Sequence, residues 1–425
     1  MSHAVGGQVE EDRREPSGRG RAALAINYHP RSLPAGTTMT PVTLIAADGD
    51  VSRGVLYEGR EPADTVITLM HPRQDLHRAP QIPDLLEAGL AVWAHNNRDV
   101  NNDVRLVHER ILLDIAAGME WLRDRGFERI VPLGISGGAA LYAFYTEQAL
   151  LAPDRRLARE ASGRPAALAE AAMPTPDALA LLAPHPGQGK LLEAMIDPSV
   201  IDDCDPLSLD RELDPYDPVN GFGGPPEGSH YAPDFLAAYR AAQRARVARI
   251  DARARDLIER QRAGRARWKE AKDVAGLRQS IALPVLTTYR TDADLRCTDL
   301  GLEPTERAYG SIISPRPNVS NYGMIGFGRL TTPEAWLSTW SGISSNAGLA
   351  RCAAGVTVPT LVIEYTGDQA VFPSDVEALL GALSEAETEH VRVRGTHFGT
   401  ALEEGEEPAG QVAMRHLVRW LGKER

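Results

Sequence analysis

The chain has 425 residues, of which 43% are hydrophobic, and its formal net charge at pH 7 is −12. This length and composition allow a large buried core, whereas the acidic balance argues against a general nucleic-acid role, because phosphate contacts need a basic surface. The three cysteines, Cys204, Cys297 and Cys352, are widely spaced and odd in number, which indicates neither a disulfide framework nor a zinc site.

The first 30 residues are rich in Gly, Arg and Glu and contain no apolar leader. No stretch of the sequence approaches the roughly 18 apolar residues of a membrane-spanning helix. We therefore expect residues 1–30 to be a mobile segment, the protein to be cytoplasmic and a membrane not to be among its partners.

The first predicted elements form a β-hairpin and a central strand. Residues 41–46 and 51–57 have the composition of strands, and an Asp-Gly turn signal lies between them. Residues 65–70 are β-branched and apolar enough for a buried parallel strand. This strand leads directly into a His-Pro-Arg sequence at residues 71–73.

Residues 90–95 predict the next strand, and the segment 96–103 that follows is dense in Asn and Asp. Such residues favour turns and helix N-caps, so Asp103 is expected to start a helix over residues 104–125. Arg98 in this segment has two interpretations. It could bind a substrate carboxylate, or it could form an ion pair that fixes the loop, which is the commoner use of such an arginine.

Residues 130–141 join a short apolar run to a Gly-x-Ser-x-Gly pattern and then to small, helix-compatible residues. This order predicts a strand, a sharp corner and a helix, with Ser136 at the corner. A serine hydroxyl is a poor nucleophile until a base removes its proton, so catalysis also needs a histidine and N–H groups for the oxyanion. Taken alone, the pattern also occurs as plain structure in α/β proteins.

The strand–helix alternation continues through a predicted strand at 178–183 and then stops until about residue 348. Within this long insertion, residues 208–229 are dense in Asp, Pro and Gly and are expected to be irregular. From residue 235 to about residue 272, apolar side chains recur at helical spacing and predict one or two long helices. The arginines of this run alternate with acids, which favours a solvated helix face with local ion pairs over nucleic-acid binding.

Trp336 and Trp340 lie four residues apart near the end of the insertion. On a helix the two rings would share one face. The default interpretation is packing between the insertion and the core. The sharper interpretation is substrate binding, with both rings in the wall of a pocket for an apolar or aromatic molecule.

Two later segments supply an acid and a histidine. Residues 359–365 predict a buried strand followed by a turn with Asp368 at its tip, and residues 389–393 predict a short strand before a loop that carries His397. Ser136, Asp368 and His397 therefore occur in that order, each beyond the C-terminal end of a predicted strand.

Other acids and histidines compete for these roles. Glu364 lies inside a predicted strand and is interpreted as a strand-end or supporting carboxylate. Asp375 follows Ser374, a good N-cap, so its carboxylate is expected to favour the helix dipole. His390 precedes a strand and is expected at the surface.

With the order Ser, Asp, His, the chain resembles the α/β-hydrolase superfamily, in particular serine-esterase-like members with a large lid. The resemblance covers about residues 40–185 and 350–422. It implies an α/β fold in which a mostly parallel central sheet is flanked by helices and carries a large, mainly helical lid insertion. The expected divisions are a core formed by residues 31–186 and 349–425 and a lid formed by residues 187–348.

The resemblance also implies a role for each of these residues. Ser136 is the nucleophile, His397 is the general base and later the general acid, and Asp368 orients the imidazole. The family takes one oxyanion N–H from the loop after the central strand, usually within a His-Gly motif.

In this chain His71 matches that motif, but Pro72 replaces the glycine. Carrying the position over pairs the backbone N–H of Arg73 with that of Gly137 in the oxyanion hole. The alternative is that His71 and Arg73 only buttress the loop.

The function implied is a serine hydrolase that cleaves a carboxylic ester or lactone of a fairly apolar small molecule through an acyl-enzyme, without a metal or an organic cofactor. Amide or peptide hydrolysis, acyl transfer and carbon–carbon bond hydrolysis would use the same triad. A serine at the corner argues against the dehalogenase and epoxide hydrolase branches, which have an aspartate there. A ligand-binding protein without turnover is a further alternative, and assembly as a homo-oligomer stays open.

Overall fold

The computed structural model describes residues 31–423. The predicted mobile segment, residues 1–30, lies outside the described residues. At the centre is an eight-stranded sheet with the strand order β1-β2-β4-β3-β5-β6-β9-β10, and β7 and β8 form a separate two-stranded sheet. The strands are β1 (Thr38–Ile45), β2 (Val51–Glu58), β3 (Thr65–Leu69), β4 (Ala91–Asn96), β5 (Arg129–Ile135), β6 (Leu179–Leu182), β7 (Leu286–Thr287), β8 (Leu330–Thr331), β9 (Thr360–Tyr365) and β10 (Thr388–Val393).

In the central sheet β2 runs antiparallel to both of its neighbours, and the other neighbouring strands run parallel. The helices are α1 (Ile82–Glu87), α2 (His108–Asp124), α3 (Gly137–Leu150), α4 (Gln188–Met195), α5 (Pro233–Ala271), α6 (Val274–Ile281), α7 (Pro317–Ser320), α8 (Pro333–Ala335), α9 (Leu349–Ala353), α10 (Pro373–Ala382) and α11 (Ala409–Lys423). The chain thus has the predicted α/β-hydrolase fold.

Helices cover both faces of the sheet, which explains why its central strands are apolar on both sides. Every residue of β3, β4 and β6 is buried, as expected for strands that lie between two helical layers. One hydrophobic cluster packs α2, α3, α9 and α10 against the sheet. A second cluster packs α1 and α11 against the opposite face.

The predicted hairpin is confirmed, and one predicted helix start is wrong. Strands β1 and β2 pair antiparallel, with Gly49 at φ +84° in the connecting turn. Helix α2 begins at His108 rather than at residue 104, and the residue before it provides no side-chain cap. Asp103 lies before the N-cap residue, Val107, and its carboxylate pairs with Arg73.

The chain between β6 and β9 forms the insertion, which contains α4 to α9 and the small sheet. Its main element is α5, a single helix of 39 residues. Local ion pairs lie on this helix as predicted, for example Arg260 with Asp256 at 2.8 Å. Arg246 is buried instead, and its guanidinium binds Asp203 at 2.8 Å. None of the helices within residues 31–423 has the length and apolar character that a bilayer crossing requires.

Candidate active site

Ser136 occupies the corner between β5 and α3, as the sequence predicts. Its backbone has φ 55° and ψ −119°, a conformation that non-glycine residues adopt at a cost of about 1–3 kcal/mol. Tight packing around the corner requires two glycines. A Cβ at Gly134 would lie 2.6 Å from the Ala139 Cα, and a Cβ at Gly138 would lie 2.5 Å from the Met70 carbonyl oxygen.

The structure brings together the three residues predicted to form a triad. His397 Nε2 lies 2.9 Å from the Ser136 Oγ, and His397 Nδ1 lies 2.7 Å from the Asp368 Oδ2. The other oxygen of Asp368 accepts the backbone N–H groups of Ala370 at 2.7 Å and Val371 at 3.0 Å. These two bonds fix the carboxylate, which faces the Nδ1–H of His397. The lone pair of Nε2 is therefore available to accept the proton of Ser136.

The competing acids are engaged elsewhere. Glu364 binds His390 Nε2 at 3.1 Å and also pairs with Arg392. Asp375 accepts the N–H of Phe372 at 3.1 Å and so caps the start of α10. Its predicted place in the first turn of that helix is confirmed.

Two roles were predicted for Arg98, and the structure shows the ion-pairing one. Its guanidinium donates to Asp114 at 2.7 Å and to Asp48 at 2.9 Å. These bonds tie the Asn- and Asp-rich loop to α2 and to the hairpin turn, and they leave the guanidinium occupied by carboxylates of the protein.

A small cavity of about 60 Å³ opens beside the triad. Its lining comprises His71, Gln74, Leu76, Pro80, Gln81, Ile135, Ser136, Leu182, Tyr365, His397 and Phe398. A larger cleft of about 450 Å³ lies between the core and α5 and contains none of the triad residues. The small cavity is therefore the space in which chemistry at Ser136 would take place.

The prediction that Trp336 and Trp340 bind substrate is wrong. Both side chains are 0% exposed, and neither lines the cavity beside Ser136. Trp336 Nε1 donates to Asp251 of α5 at 2.7 Å. Both rings pack into the hydrophobic cluster of the insertion. The packing interpretation is the one that the structure supports.

The predicted oxyanion donors have different surroundings. Gly137 is the first residue of α3, so its N–H has no acceptor within the helix. The backbone N–H of Arg73 instead donates to His71 Nδ1 at 3.0 Å. The prediction that this N–H completes the oxyanion hole therefore needs correction, because the loop folds back over the His71 ring.

The Arg73 side chain has the buttressing role. Two of its nitrogens bind Asp103, each at 2.7 Å. Its guanidinium also packs over two neighbouring aromatic rings, 5.1 Å from the centroid of Phe327 and 5.0 Å from that of Trp340. The loop after β3 is thereby tied to the insertion.

Sequence reasoning missed His185 and Gln188, whose side chains lie beside Gly137. The position at which Gly137 would carry a Cβ lies 3.0 Å from both His71 Nε2 and His185 Nε2 and 3.1 Å from Gln188 Nε2. The signal available for His185 was its place just beyond a predicted strand, at the edge of the sheet where Ser136, Asp368 and His397 also follow strands. A lone histidine there has no local pattern that distinguishes it from a structural residue.

Burial keeps several histidines of the described chain uncharged. It lowers the pKa of His95 and His185 to about 3 and the pKa of His108 to about 4. It also lowers the pKa of His71 well below the ordinary value, and the neighbouring His185 adds to this effect. At neutral pH the rings of His71 and His185 are therefore uncharged hydrogen-bonding groups.

These shifts predict a loss of stability in mild acid. Unfolding returns each ring to a pKa near 6.5, so below that pH the unfolded chain binds more protons than the folded chain. The free energy of unfolding should fall as the pH decreases from about 6.5 toward 5, by at most about 1.4 kcal/mol per pH unit for each of these histidines. Thermal unfolding followed by circular dichroism between pH 7.5 and 5 measures this slope.

A His95→Gln variant serves as the control, because it removes one titrating ring on β4, which β3 separates from the strand that leads to Ser136. Its melting temperature should depend less steeply on pH than that of the wild type, whatever its absolute stability. An equal slope in both proteins would contradict the assignment of the effect to the buried histidines.

Comparison with known proteins gives a fold likeness only. No protein-family model matches the sequence, and no curated protein matches it. The chain is similar to the solved structure of hypothetical protein PA2218 from Pseudomonas aeruginosa, at 12% identity and a TM-score of 0.48, over 93% of this chain and 96% of that one. It is also similar to the Pyrococcus furiosus esterase Pf2001, at 13% identity and a TM-score of 0.44, over 93% and 95%.

A third similar structure is the α/β hydrolase GrgF from Penicillium, at 12% identity and a TM-score of 0.44, over 89% of this chain and 96% of that one. At these identities and scores the likenesses carry no argument about the activity of this chain.

Within residues 31–423 no group of three His, Cys, Asp or Glu side chains is arranged to hold a metal ion.

Proposed function

We propose that the protein is a serine hydrolase that cleaves a carboxylic ester or lactone of a small, fairly apolar molecule through an acyl-enzyme. The observation that carries the proposal is the continuous hydrogen-bond path from Asp368 through His397 to Ser136. An Asp–His pair that holds Nε2 against a serine hydroxyl is the arrangement that acyl transfer needs.

The reaction would proceed in two halves. In the first, His397 removes the proton of Ser136 while Oγ attacks the substrate carbonyl, and the imidazolium then protonates the leaving alkoxide. In the second, His397 takes a proton from water as the water oxygen attacks the acyl carbon. The acyl C–Oγ bond then breaks, the imidazolium returns the proton to Ser136 Oγ, and the acid is released. Asp368 stabilises the imidazolium in both halves. The negatively charged tetrahedral intermediates need N–H donors at the oxyanion, and the N–H of Gly137 is one of them.

The size of the cavity supports a compact acyl group. About 60 Å³ accommodates only a few non-hydrogen atoms, and the lining beside Ser136 includes Leu76, Ile135, Leu182 and Phe398. An extended acyl chain would have to displace these side chains. The apolar part of this lining favours short, uncharged acyl groups.

This geometry predicts a dependence on chain length. We expect kcat/KM for p-nitrophenyl acetate and butyrate to exceed that for the octanoate and longer esters by roughly 5- to 150-fold, because displacing one side chain costs about 1–3 kcal/mol. Steady-state kinetics on a p-nitrophenyl ester series would test it. A rising rate with chain length would contradict the description of the pocket.

The activity itself is tested by labelling and by a substrate panel. A fluorophosphonate probe should modify the wild-type enzyme at Ser136, and peptide mapping by mass spectrometry locates the adduct. Failure to label the serine would favour a ligand-binding protein without turnover. A panel of esters, lactones and amides would then separate ester hydrolysis from amide hydrolysis, and addition of an alcohol acceptor would reveal acyl transfer.

A further inference from the structure

We infer that the Nε2–H group of the His71 side chain is the second oxyanion donor of this site, in place of the backbone N–H of Arg73. The inference rests on the proposed hydrolase function. It assigns a catalytic role to an imidazole that is separate from the triad and that would contact the reacting oxygen directly.

The hydrogen bonds of His71 determine which nitrogen carries the proton. Its Nδ1 lies 3.0 Å from the backbone nitrogen of Arg73 and 2.9 Å from that of Gln74. A backbone N–H can only donate, so Nδ1 accepts both bonds and cannot itself be protonated. Because burial and the neighbouring bases hold the pKa of this ring far below its ordinary value, the ring is neutral and its one proton is on Nε2.

The position of this Nε2–H fits an oxyanion donor. His71 lines the cavity that also contains Ser136 and His397. Its Nε2 lies 3.0 Å from the position that a Cβ atom would occupy at Gly137. The imidazole Nε2–H therefore lies beside Gly137, the residue that follows the nucleophile, and a Cβ at position 137 would crowd it.

The surroundings of His71 favour negative charge on a bound oxygen. His185 Nδ1 accepts the N–H of Gly187 at 3.1 Å, so its neutral ring also carries the proton on Nε2. That Nε2 and the amide nitrogen of Gln188 lie 3.0 Å and 3.1 Å from the same point beside Gly137. After burial, the largest effects on the pKa of His71 come from other bases, His185 first and then Arg73. Fixed N–H dipoles that are already aimed at the oxyanion position stabilise the developing charge with little reorganisation.

The two bonds to Nδ1 explain why this donor is fixed in place. Both N–H groups belong to the loop that follows His71, and the ion pair between Arg73 and Asp103 holds that loop in place. The ring cannot rotate about its Cβ–Cγ bond without leaving two backbone N–H groups unpaired, which costs roughly 1–3 kcal/mol for each group. The Nε2–H is thus aimed before the substrate binds.

Two substitutions separate an oxyanion donor from a residue that only supports the loop. In His71→Asn, the side-chain oxygen can accept the N–H groups of residues 73 and 74, as Asn does in turns of this kind, but no N–H remains at the Nε2 position. In His71→Gln, the longer side chain can place an amide N–H near the Nε2 position but does not reproduce the acceptor at Nδ1.

We expect His71→Asn to lower kcat for p-nitrophenyl acetate on the order of 100-fold with little change in KM, which is the effect of losing one oxyanion donor. His71→Gln should retain more of the rate than His71→Asn. Support of the loop alone would give the opposite order. Wild-type kcat in His71→Asn, or an equal loss in both variants, would overturn the inference.

Wild-type protein provides a second measurement that does not depend on the folding of a variant. In a ¹⁵N-histidine-labelled sample, formation of the fluorophosphonate adduct at Ser136 should move the His71 Nε2–H proton downfield, because the phosphonyl oxygen occupies the oxyanion position. An unmoved resonance in the labelled protein would refute the donor role while leaving the proposed hydrolase intact. A wild-type protein that neither reacts with the probe nor hydrolyses esters would refute the proposed function itself, and the inference with it.

Discussion

Replacing Ser136 with alanine is expected to lower kcat for ester hydrolysis by about 10⁶-fold, which is the scale of loss when a triad nucleophile is removed. The reason is geometric. Ser136 Oγ forms the hydrogen bond with His397 Nε2 at 2.9 Å, and Ser136 lies at the corner between β5 and α3. Without it no acyl-enzyme can form, although substrate can still enter the cavity.

The same variant should remain folded. Alanine fits the space of serine, and Ser136 provides no side-chain cap to α3. Steady-state kinetics and fluorophosphonate labelling measure the loss, and thermal unfolding checks the fold. The exposed Ser374→Ala variant is the matched control and should keep both turnover and labelling. Turnover of Ser136→Ala above about a thousandth of the wild-type rate would contradict the nucleophile assignment.

The sequence predicts the meeting of the triad because of how parallel sheets are built. Each of the three residues follows the C-terminal end of a strand, and in a parallel sheet these ends lie along one edge. Ser136 follows β5, Asp368 follows β9 and His397 follows β10. Local strand and turn signals therefore suffice to place side chains on the same edge even though they are far apart in the chain.

Features that depend on tertiary contacts were not predictable in the same way. The loop after β3 folds over the His71 ring because Arg73 is held by Asp103 and by two rings of the insertion, Phe327 and Trp340. None of these partners is near Arg73 in sequence. A family pattern can assign the Arg73 N–H to the oxyanion, but only the folded loop shows that His71 Nδ1 already accepts it.

The tryptophans illustrate a second limit of sequence patterns. Their spacing on an α-helix would place Trp336 and Trp340 on one face, but the segment is a π-helix, and the structure shows only that both rings belong to a single buried cluster. A shared face does not specify what it contacts. Packing against α4 and α5 and lining a substrate pocket would give the same local pattern, and the burial of both rings decides between them.

Asp368→Asn is expected to lower kcat by about 10⁴-fold while leaving the fold intact. One carboxylate oxygen of Asp368 accepts the N–H groups of Ala370 and Val371, and the amide oxygen of an asparagine would take that position. Its NH₂ group would then face His397 Nδ1, where the carboxylate accepts a hydrogen bond in the wild type. The ring would have to accept at Nδ1 and carry its proton on Nε2, so it could not remove the proton of Ser136.

Glu364→Gln is the matched control, because it also replaces a carboxylate with its amide and lies in β9, the strand that leads to Asp368. Glu364 binds His390 and Arg392 and has no bond to His397, so this variant should keep wild-type kcat. The kinetics of both variants on p-nitrophenyl acetate, with labelling of Ser136 as the second readout, test the assignment. An active Asp368→Asn beside an inactive Glu364→Gln would transfer the orienting role to Glu364, and the 2.7 Å contact between Asp368 and His397 would then be structural only.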